Sequence, residues 1–265
     1  MKRMLFFAYG VTGYLLFLAT YAWLAGFLGN LLVPHSIDSP ASDSVLQAIS
    51  IDLALIVLFG LQHSIMARPA FKQVWTRIVP QPIERSTYLF ASNAVTILLL
   101  WQWRPVDLVV WDVQNPAGRW LLYGLFAFGG FMVPGVSLMI HHFDLFGLRQ
   151  VWYYLRGREI TPLPFRTPLL YSQMRHPLYV GWAIFFWATP TMTAGHLLLA
   201  VGMTAYMLLA IVFEERDLVA HFGNEYEEYQ RRVPMFVSWR GVRMPAPEPT
   251  LDAHVLSDLT VPEQP

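Results

Sequence analysis

Arg175, His176, Tyr179 and Gly181 sit within the seven residues of "RHPLYVG", and Glu214 and Glu215 follow, the first of them 38 residues beyond His176. A guanidinium, an imidazole, a phenol and two carboxylates can bind ions of either sign, move protons and orient a charged ligand. Pro177 disfavours helix at His176 and suits a first helical position. Arg175 and His176 are therefore expected at a helix N-terminus, beside free backbone N–H groups. Such an end accepts an anion, a carboxylate included. Gly181, in the first turn or so, would admit a flat ligand or a second helix. An ordinary helix start with Arg175 as an anchor explains the arginine, but not the whole His-Pro-x-Tyr-x-Gly set.

Two further polar groups flank apolar stretches. In "HHFDLFGLRQVW" (141–152), His141, His142, Asp144 and Arg149 stand where an apolar run ends, after Gly129, Gly130, Pro134 and Gly135. Proline removes a helical hydrogen bond and kinks the helix. Ionisable groups at a membrane boundary are costly and face a cavity or a partner. Arg149 is expected to pair with Asp144, to meet a lipid phosphate or to hold a ligand carboxylate. In "FEERDLVAHFGNEYEEYQRRVP" (213–234), Glu214 and Glu215 are expected to end an apolar helix, where the helix dipole disfavours carboxylates. Leu218, Phe222, Tyr226 and Tyr229 then have the spacing of a short amphipathic helix on the membrane surface, with the tyrosines as interfacial anchors.

The elements that must position these groups are membrane helices. The 265 residues are 55% hydrophobic and 14% charged, against about 25% charge in soluble domains. Net charge is zero, so nothing points to nucleic acid. There is no cysteine, which excludes disulfides, thiolate-metal sites and covalent catalysis by a protein thiol. A span needs roughly 20 mostly apolar residues. Residues 4–33, 48–67, 86–103 and 119–142 qualify, and the first is too long for a signal peptide. A fifth block, 178–213, has 36 residues and is interrupted by "ATPTMTAGH". It predicts a helical hairpin, 177–190 and 195–214, whose first arm is short enough to cross only part of the way.

Lys and Arg support that hairpin. With it, sixteen of the eighteen cations fall on one side, all but Arg104 and Arg119. The bias predicts both termini in the cytosol. The expected fold is an all-α, polytopic transmembrane helical bundle of five to six membrane segments, the last two a hairpin, with a cytosolic amphipathic C-terminal helix. One membrane domain covers 1–240, and the proline-rich 241–265 is expected to be a flexible tail.

The hairpin makes His176 and Glu214 neighbours. An anion site beside a carboxylate fits a ligand that carries both a carboxylate and an ammonium. S-adenosylmethionine has these, together with a sulfonium and two ribose hydroxyls.

"RHPLYVGW" followed by "EERDLVAHFGNEYEEYQRRVP" resembles the paired motif of integral-membrane methyltransferases, which include the isoprenylcysteine carboxyl methyltransferases and phospholipid N-methyltransferases. The similarity extends over roughly 1–240 to a narrower family, the bacterial methanethiol S-methyltransferases. "LFGLQHSIMARPAFK", "PIERSTY", "HHFDLFGLRQVW", "TPLPFRTPLLYSQMRHPLYVGW" and "FWATPTMTAGH" carry it. The resemblance implies methyl transfer from S-adenosylmethionine to methanethiol, giving dimethyl sulfide and S-adenosylhomocysteine, in the bacterial inner membrane. It implies cofactor contacts at His176, Tyr179, Gly181, Glu214 and Glu215, to which the residue reading adds Arg175 and Arg149. Small thiol and lipid bilayer are the expected partners, with no nucleic acid, no metal and no obligate protein partner.

Displacement at a sulfonium needs alignment of nucleophile, methyl and leaving sulfur, with the thiolate as the competent nucleophile. A low-dielectric site favours a step in which two opposite charges vanish. Asp144 and His142 are the expected bases, Asp144 either directly or by orienting His142. Gln62 and His63, with Glu84 and Arg85, are further candidates for the cavity wall. Two alternatives remain open at this point. The acceptor could be a lipid amine or a prenylcysteine-like chain, or the histidines could serve a haem or transport protein with no enzymatic role.

Overall fold

The computed structural model describes residues 1–161 and 163–237; the expected tail at 241–265 lies outside them. The expectation of an all-helical membrane fold holds. Among the described residues, four helices are long and apolar enough to cross a membrane: α1 (Lys2–Gly29), α2 (Val45–Ala67), α5 (Pro116–Met139) and α9 (Ala194–Phe222). Between them lie α3 (Pro69–Trp75), α4 (Glu84–Gln102), α6 (His142–Leu145), α7 (Leu148–Leu155) and α8 (Pro177–Trp187), and α10 (Asn224–Arg232) closes the described chain. Helix α4 packs against both α1 and α2. It buries Ser86, Ser92 and Asn93 there, and the Asn93 amide donates to the Gly13 carbonyl at 3.3 Å. Ser92 and Asn93 find protein partners, which is how a less apolar helix sits inside the bundle, whereas the buried Ser86 hydroxyl has no hydrogen-bond partner among the described residues.

Helices α2, α5 and α9 start at the same end of the bundle, each behind a capping side chain. Ser44, Asn115 and Thr193 accept from the backbone N–H groups of Gln47, Gly118 and His196, as N-cap residues do. The loops at that end are knitted together. The Arg104 N–H donates to Asp52 Oδ1 at 2.8 Å, the Thr193 hydroxyl to Asp38 Oδ1 at 2.5 Å and the Asn30 amide to Asp38 Oδ2 at 2.8 Å. Asp38 is consequently held below the usual carboxylate range: burial works against its charge, and the nearby His196 imidazole at 3.8 Å together with the hydrogen bonds from Thr193 and Asn30 outweighs that cost.

The expected hairpin of α8 and α9 is present, with its turn at 188–193. A short two-stranded sheet that the sequence reading did not anticipate anchors that turn. Strand β1 (Val109–Asp112) pairs antiparallel with β2 (Thr191–Thr193), in the register Val109↔Thr193 and Asp112↔Thr191. Beyond it, the Ala194 and Gly195 N–H groups donate to Leu108 and Val106 carbonyls at 2.7 and 3.0 Å. Helix α8 has 11 residues and is therefore roughly 16 Å long, short of a hydrocarbon core about 30 Å thick. Non-helical backbone at such depth is stable where protein pairs it, and β1 with its flanking loop does so.

Helices α5 and α8 approach closely through small residues. A side chain at Gly129 would meet the Phe185 backbone nitrogen at 2.7 Å and the Gly181 carbonyl at 3.0 Å, and one at Gly130 would meet the Phe185 ring at 2.9 Å. Small residues of this kind let membrane helices pack backbone to backbone. The core beside this contact contains Phe27, Leu100, Trp103, Phe185 and Leu199, all nearly inaccessible.

Candidate active site

Pro177 opens α8 with His176 as its cap residue, as the sequence predicts. Across the hairpin, α9 presents both glutamates. Tyr179 donates its hydroxyl hydrogen to Glu214 Oε2 at 2.8 Å. Glu215 receives three donors: Arg175 Nε at 2.7 Å, His176 Nε2 at 2.9 Å, and Gln230 Nε2 at 2.9 Å. Arg175 Nη1 also donates to the Val233 and Gln230 carbonyls. The Arg175 and His176 backbone N–H groups donate to Pro234 and Met235 carbonyls. Five of the seven residues expected to bind a cofactor therefore meet in one place.

The two carboxylates are not equivalent. Glu215 is saturated by donors and ties α8, α9 and α10 together. Glu214 uses one oxygen on Tyr179, and among the described residues its other oxygen accepts from no side chain. Glu214 is therefore the carboxylate with capacity to spare.

Several expectations need correction. Glu214 and Glu215 do not end their helix; α9 runs on to Phe222. The dipole penalty that singled them out does not apply, and their pairing across the hairpin accounts for them instead. The amphipathic helix expected through 218–229 is broken at Gly223, whose φ of 57° and ψ of −131° suit glycine. Leu218 and Phe222 belong to α9, and Tyr226 and Tyr229 to α10. The two tyrosines are 2% and 5% exposed, which rules out interfacial anchoring. Tyr229 donates to the Tyr171 carbonyl at 2.5 Å, and Phe165 packs on both rings. Burial pushes both phenols upward from their ordinary pKa.

Gly181 faces α5 rather than an open cleft. A side chain there would meet Met132 at 3.2 Å. Of the two roles expected for it, close approach of a second helix is the one its surroundings show.

Asp144, His142 and Arg149 form a separate group. Asp144 is paired with Arg149 at 2.9 Å and accepts from Gln150 at 3.1 Å, so the ion pair expected of Arg149 is present. His142 is buried, and hydroxyls hold both of its ring nitrogens: Tyr14 lies 2.7 Å from Nε2 and Ser137 2.7 Å from Nδ1. Ser137 donates its own hydrogen to the Pro134 carbonyl at 2.8 Å, so it accepts from Nδ1–H and Tyr14 donates to Nε2. That neutral tautomer has no free lone pair. Burial also lowers the His142 pKa. Asp144 does not orient His142, contrary to the expectation.

Asp144 and Glu215 line different clefts. Asp144, Arg149, His141, Arg166 and Tyr153 line one of about 670 Å³. Glu215, Arg216, Gln230 and Met235 line one of about 350 Å³. They share no lining residue. The segment carrying Phe165 and Arg166 runs between them, with Phe165 on the α10 tyrosines and Arg166 in the wall of the larger cleft.

The chain is 47% identical over 241 residues to a methanethiol S-methyltransferase of Crocosphaera subtropica, an overlap of 91% of this chain and 94% of that one. It belongs to the methanethiol S-methyltransferase family. The methanethiol S-methyltransferase of Mycobacterium tuberculosis is 47% identical over 239 residues, covering 90% of this chain and 98% of the relative. Nurim of Mus musculus is 32% identical over 185 residues, covering 66% of this chain and 70% of Nurim. No family model and no solved structure matches the chain. In this methanethiol S-methyltransferase family member, Gln230, Tyr14 and Ser137 are the site partners that sequence reasoning missed. Gln230 lies within the second motif but was given no role there, Tyr14 and Ser137 sit in no motif, and each reaches its partner only through the fold.

Proposed function

We propose that this chain transfers the methyl group of S-adenosylmethionine to methanethiol, giving dimethyl sulfide and S-adenosylhomocysteine, on the cytosolic side of a bacterial inner membrane. The observation that carries the reading is the Tyr179–Glu214 pair, whose second carboxylate oxygen accepts from no side chain among the described residues, beside Arg175 and His176. A carboxylate with a free oxygen next to a helix N-terminus fits a ligand that bears both an ammonium and a carboxylate. The relatives named methanethiol S-methyltransferase support the thiol as acceptor.

On this reading Glu214 takes the ammonium or ribose hydroxyls, and Tyr179 fixes its rotamer. The first turn of α8, with His176, takes the carboxylate. Glu215 holds Arg175, His176 and α10 in place and so shapes the site indirectly. When bound, the cofactor supplies an electrophilic methyl on a sulfonium. What the chain supplies is alignment and exclusion of water. Opposite charges cancel as thiolate and sulfonium become two neutral sulfurs, which a low-dielectric surrounding favours. The dense aromatic packing of α8, with Trp182 stacked on Phe186 at 5.4 Å, suits a small apolar acceptor.

Calorimetric titration of S-adenosylmethionine into detergent-solubilised protein, paired with headspace analysis for dimethyl sulfide, tests the reading. Binding and product are both expected. Binding accompanied by methylation of a lipid amine alone would move the acceptor to that class.

A further inference from the structure

Methanethiol is a weak acid, and the carboxylates described so far are committed, Glu215 and Asp144 to ion pairs and Glu214, on the reading above, to the cofactor. His63 is not. It lies on α2, in van der Waals contact with a set of aromatic rings: Phe59 stacks on it at 5.2 Å, Tyr88 lies tilted at 5.2 Å and Tyr206 meets it edge-on at 6.3 Å. Its Nδ1 lies 3.4 Å from the Ser92 hydroxyl, which in turn accepts from the Gln62 amide at 3.4 Å. Among the described residues no side chain hydrogen-bonds to its Nε2.

Two contacts place His63 along the bundle. Helices α2 and α9 run in the same direction. Gly60 abuts Tyr206, where an added side chain would come within 3.0 Å of the ring, and Arg68 pairs with Asp217 at 3.0 Å. His63 falls between these two points, so it stands beside the stretch of α9 that leads to Glu214, on the side away from the cation-rich end. The imidazole therefore lies beside the α9 segment between Tyr206 and Asp217, the segment that carries Glu214, and deeper in the bundle.

We propose that His63 accepts the proton of the acceptor thiol, and that the thiol approaches it from the membrane interior. This rests on the methyltransferase reading above. The Nδ1–H tautomer donates to Ser92, which leaves the Nε2 lone pair for the substrate. The S–H bond breaks, its proton goes to Nε2, and its electron pair stays on sulfur. That sulfur then forms the S–CH3 bond as the methyl–sulfonium bond of S-adenosylmethionine breaks, with the electron pair departing to S-adenosylhomocysteine. Ser92 holds Nδ1–H in place through this step, and the imidazolium returns its proton to solvent after the product leaves. Ser92 is a positioning residue in this step, and His63 the group in contact with substrate.

The test compares two acceptors in purified protein. A selenol is far more acidic than a thiol and is ionised without a base. His63→Ala is expected to lose about a hundredfold or more of its turnover with methanethiol, the range general bases supply, while keeping most of its turnover with methaneselenol and its calorimetric affinity for S-adenosylmethionine. His63→Gln, which fills the same space, is expected to behave alike. The infrared S–H stretch of methanethiol bound without any methyl donor is expected to shift downward in the wild type and not in His63→Ala. Equal loss with both acceptors, or full thiol turnover in either variant, would overturn the proposal, as would an unshifted stretch in the wild type. A wild type that methylates neither acceptor would instead remove the methyltransferase reading, and the infrared band would still decide whether His63 meets the thiol.

Discussion

Tyr179 and Glu214, 35 residues apart in sequence, are joined by a 2.8 Å hydrogen bond across the α8–α9 hairpin. The bond orients a carboxylate that has one oxygen left for a ligand. Tyr179→Phe removes the donor and leaves the ring. A hydrogen bond to a charged group contributes about 1.5–3 kcal/mol, so the dissociation constant for S-adenosylmethionine is expected to rise roughly ten- to a hundredfold. Glu214→Gln should do at least as much. Calorimetry in detergent reads both, and unchanged affinity in both variants would remove this pair from the cofactor site.

Glu215 is expected to behave differently from its neighbour. It is 14% exposed and held by Arg175, His176 and Gln230. Breaking a buried pair by removing one partner costs about 3–5 kcal/mol. Glu215→Ala should therefore lower the thermal midpoint far more than Glu214→Ala, measured by nanoscale fluorimetry without cofactor. Equal midpoints would contradict the assignment of Glu215 as the structural member.

Much of this geometry was legible in the sequence and some was not. A 36-residue apolar block interrupted by Pro190, with cations on both flanks, required a hairpin, and a hairpin brings His176 to the glutamates. The continuation of α9 past them was hidden because residues 216–222, Arg-Asp-Leu-Val-Ala-His-Phe, mix charged and apolar residues in a way that reads equally well as a separate surface helix. Gly223 marks the true break by its backbone conformation, which no periodicity reveals. The partners of His142 were out of reach: Tyr14 lies 128 residues away on a helix with no polar pattern of its own. The β1–β2 pair is too short to have an alternating signature.

His142 is held neutral by two hydroxyls, and burial lowers its pKa. The sign follows directly. Unfolded, the imidazole gains a proton near pH 6.5, roughly; folded, it does so only at lower pH. Its contribution to stability is fully present above the unfolded value and is lost as pH falls through the window below it. Thermal midpoints of the wild type between pH 7 and pH 5 are expected to fall more steeply than those of His142→Gln. Parallel slopes would contradict this.

Gly129 and Gly135 on α5 form an internal control for helix packing. A side chain at Gly129 would strike the α8 backbone, whereas one at Gly135 would meet nothing within 4 Å among the described residues. Gly129→Ala is expected to destabilise by about 1–3 kcal/mol, and Gly135→Ala to be neutral or better. Because α8 carries His176 and Tyr179, Gly129→Ala should also weaken S-adenosylmethionine binding. Comparable stability in the two variants would contradict the packing.

Asp144 separates two placements of the proton acceptor. Paired with Arg149 and in a cleft distinct from that of Glu215, it is expected to be replaceable. Asp144→Asn should keep S-adenosylmethionine affinity and methanethiol turnover within roughly tenfold of the wild type, against about a hundredfold or more for a missing general base. A larger loss of turnover at unchanged affinity would return the proton to Asp144.

The central claim is methyl transfer to a small thiol, and isotope transfer reads it most directly. Purified protein is supplied with S-adenosylmethionine labelled in its methyl group and with methanethiol, and the headspace is analysed by mass spectrometry. The account predicts dimethyl sulfide carrying one labelled methyl, and its loss in Glu214→Gln. Label appearing only in lipid, or in no product while S-adenosylmethionine binds, would contradict it.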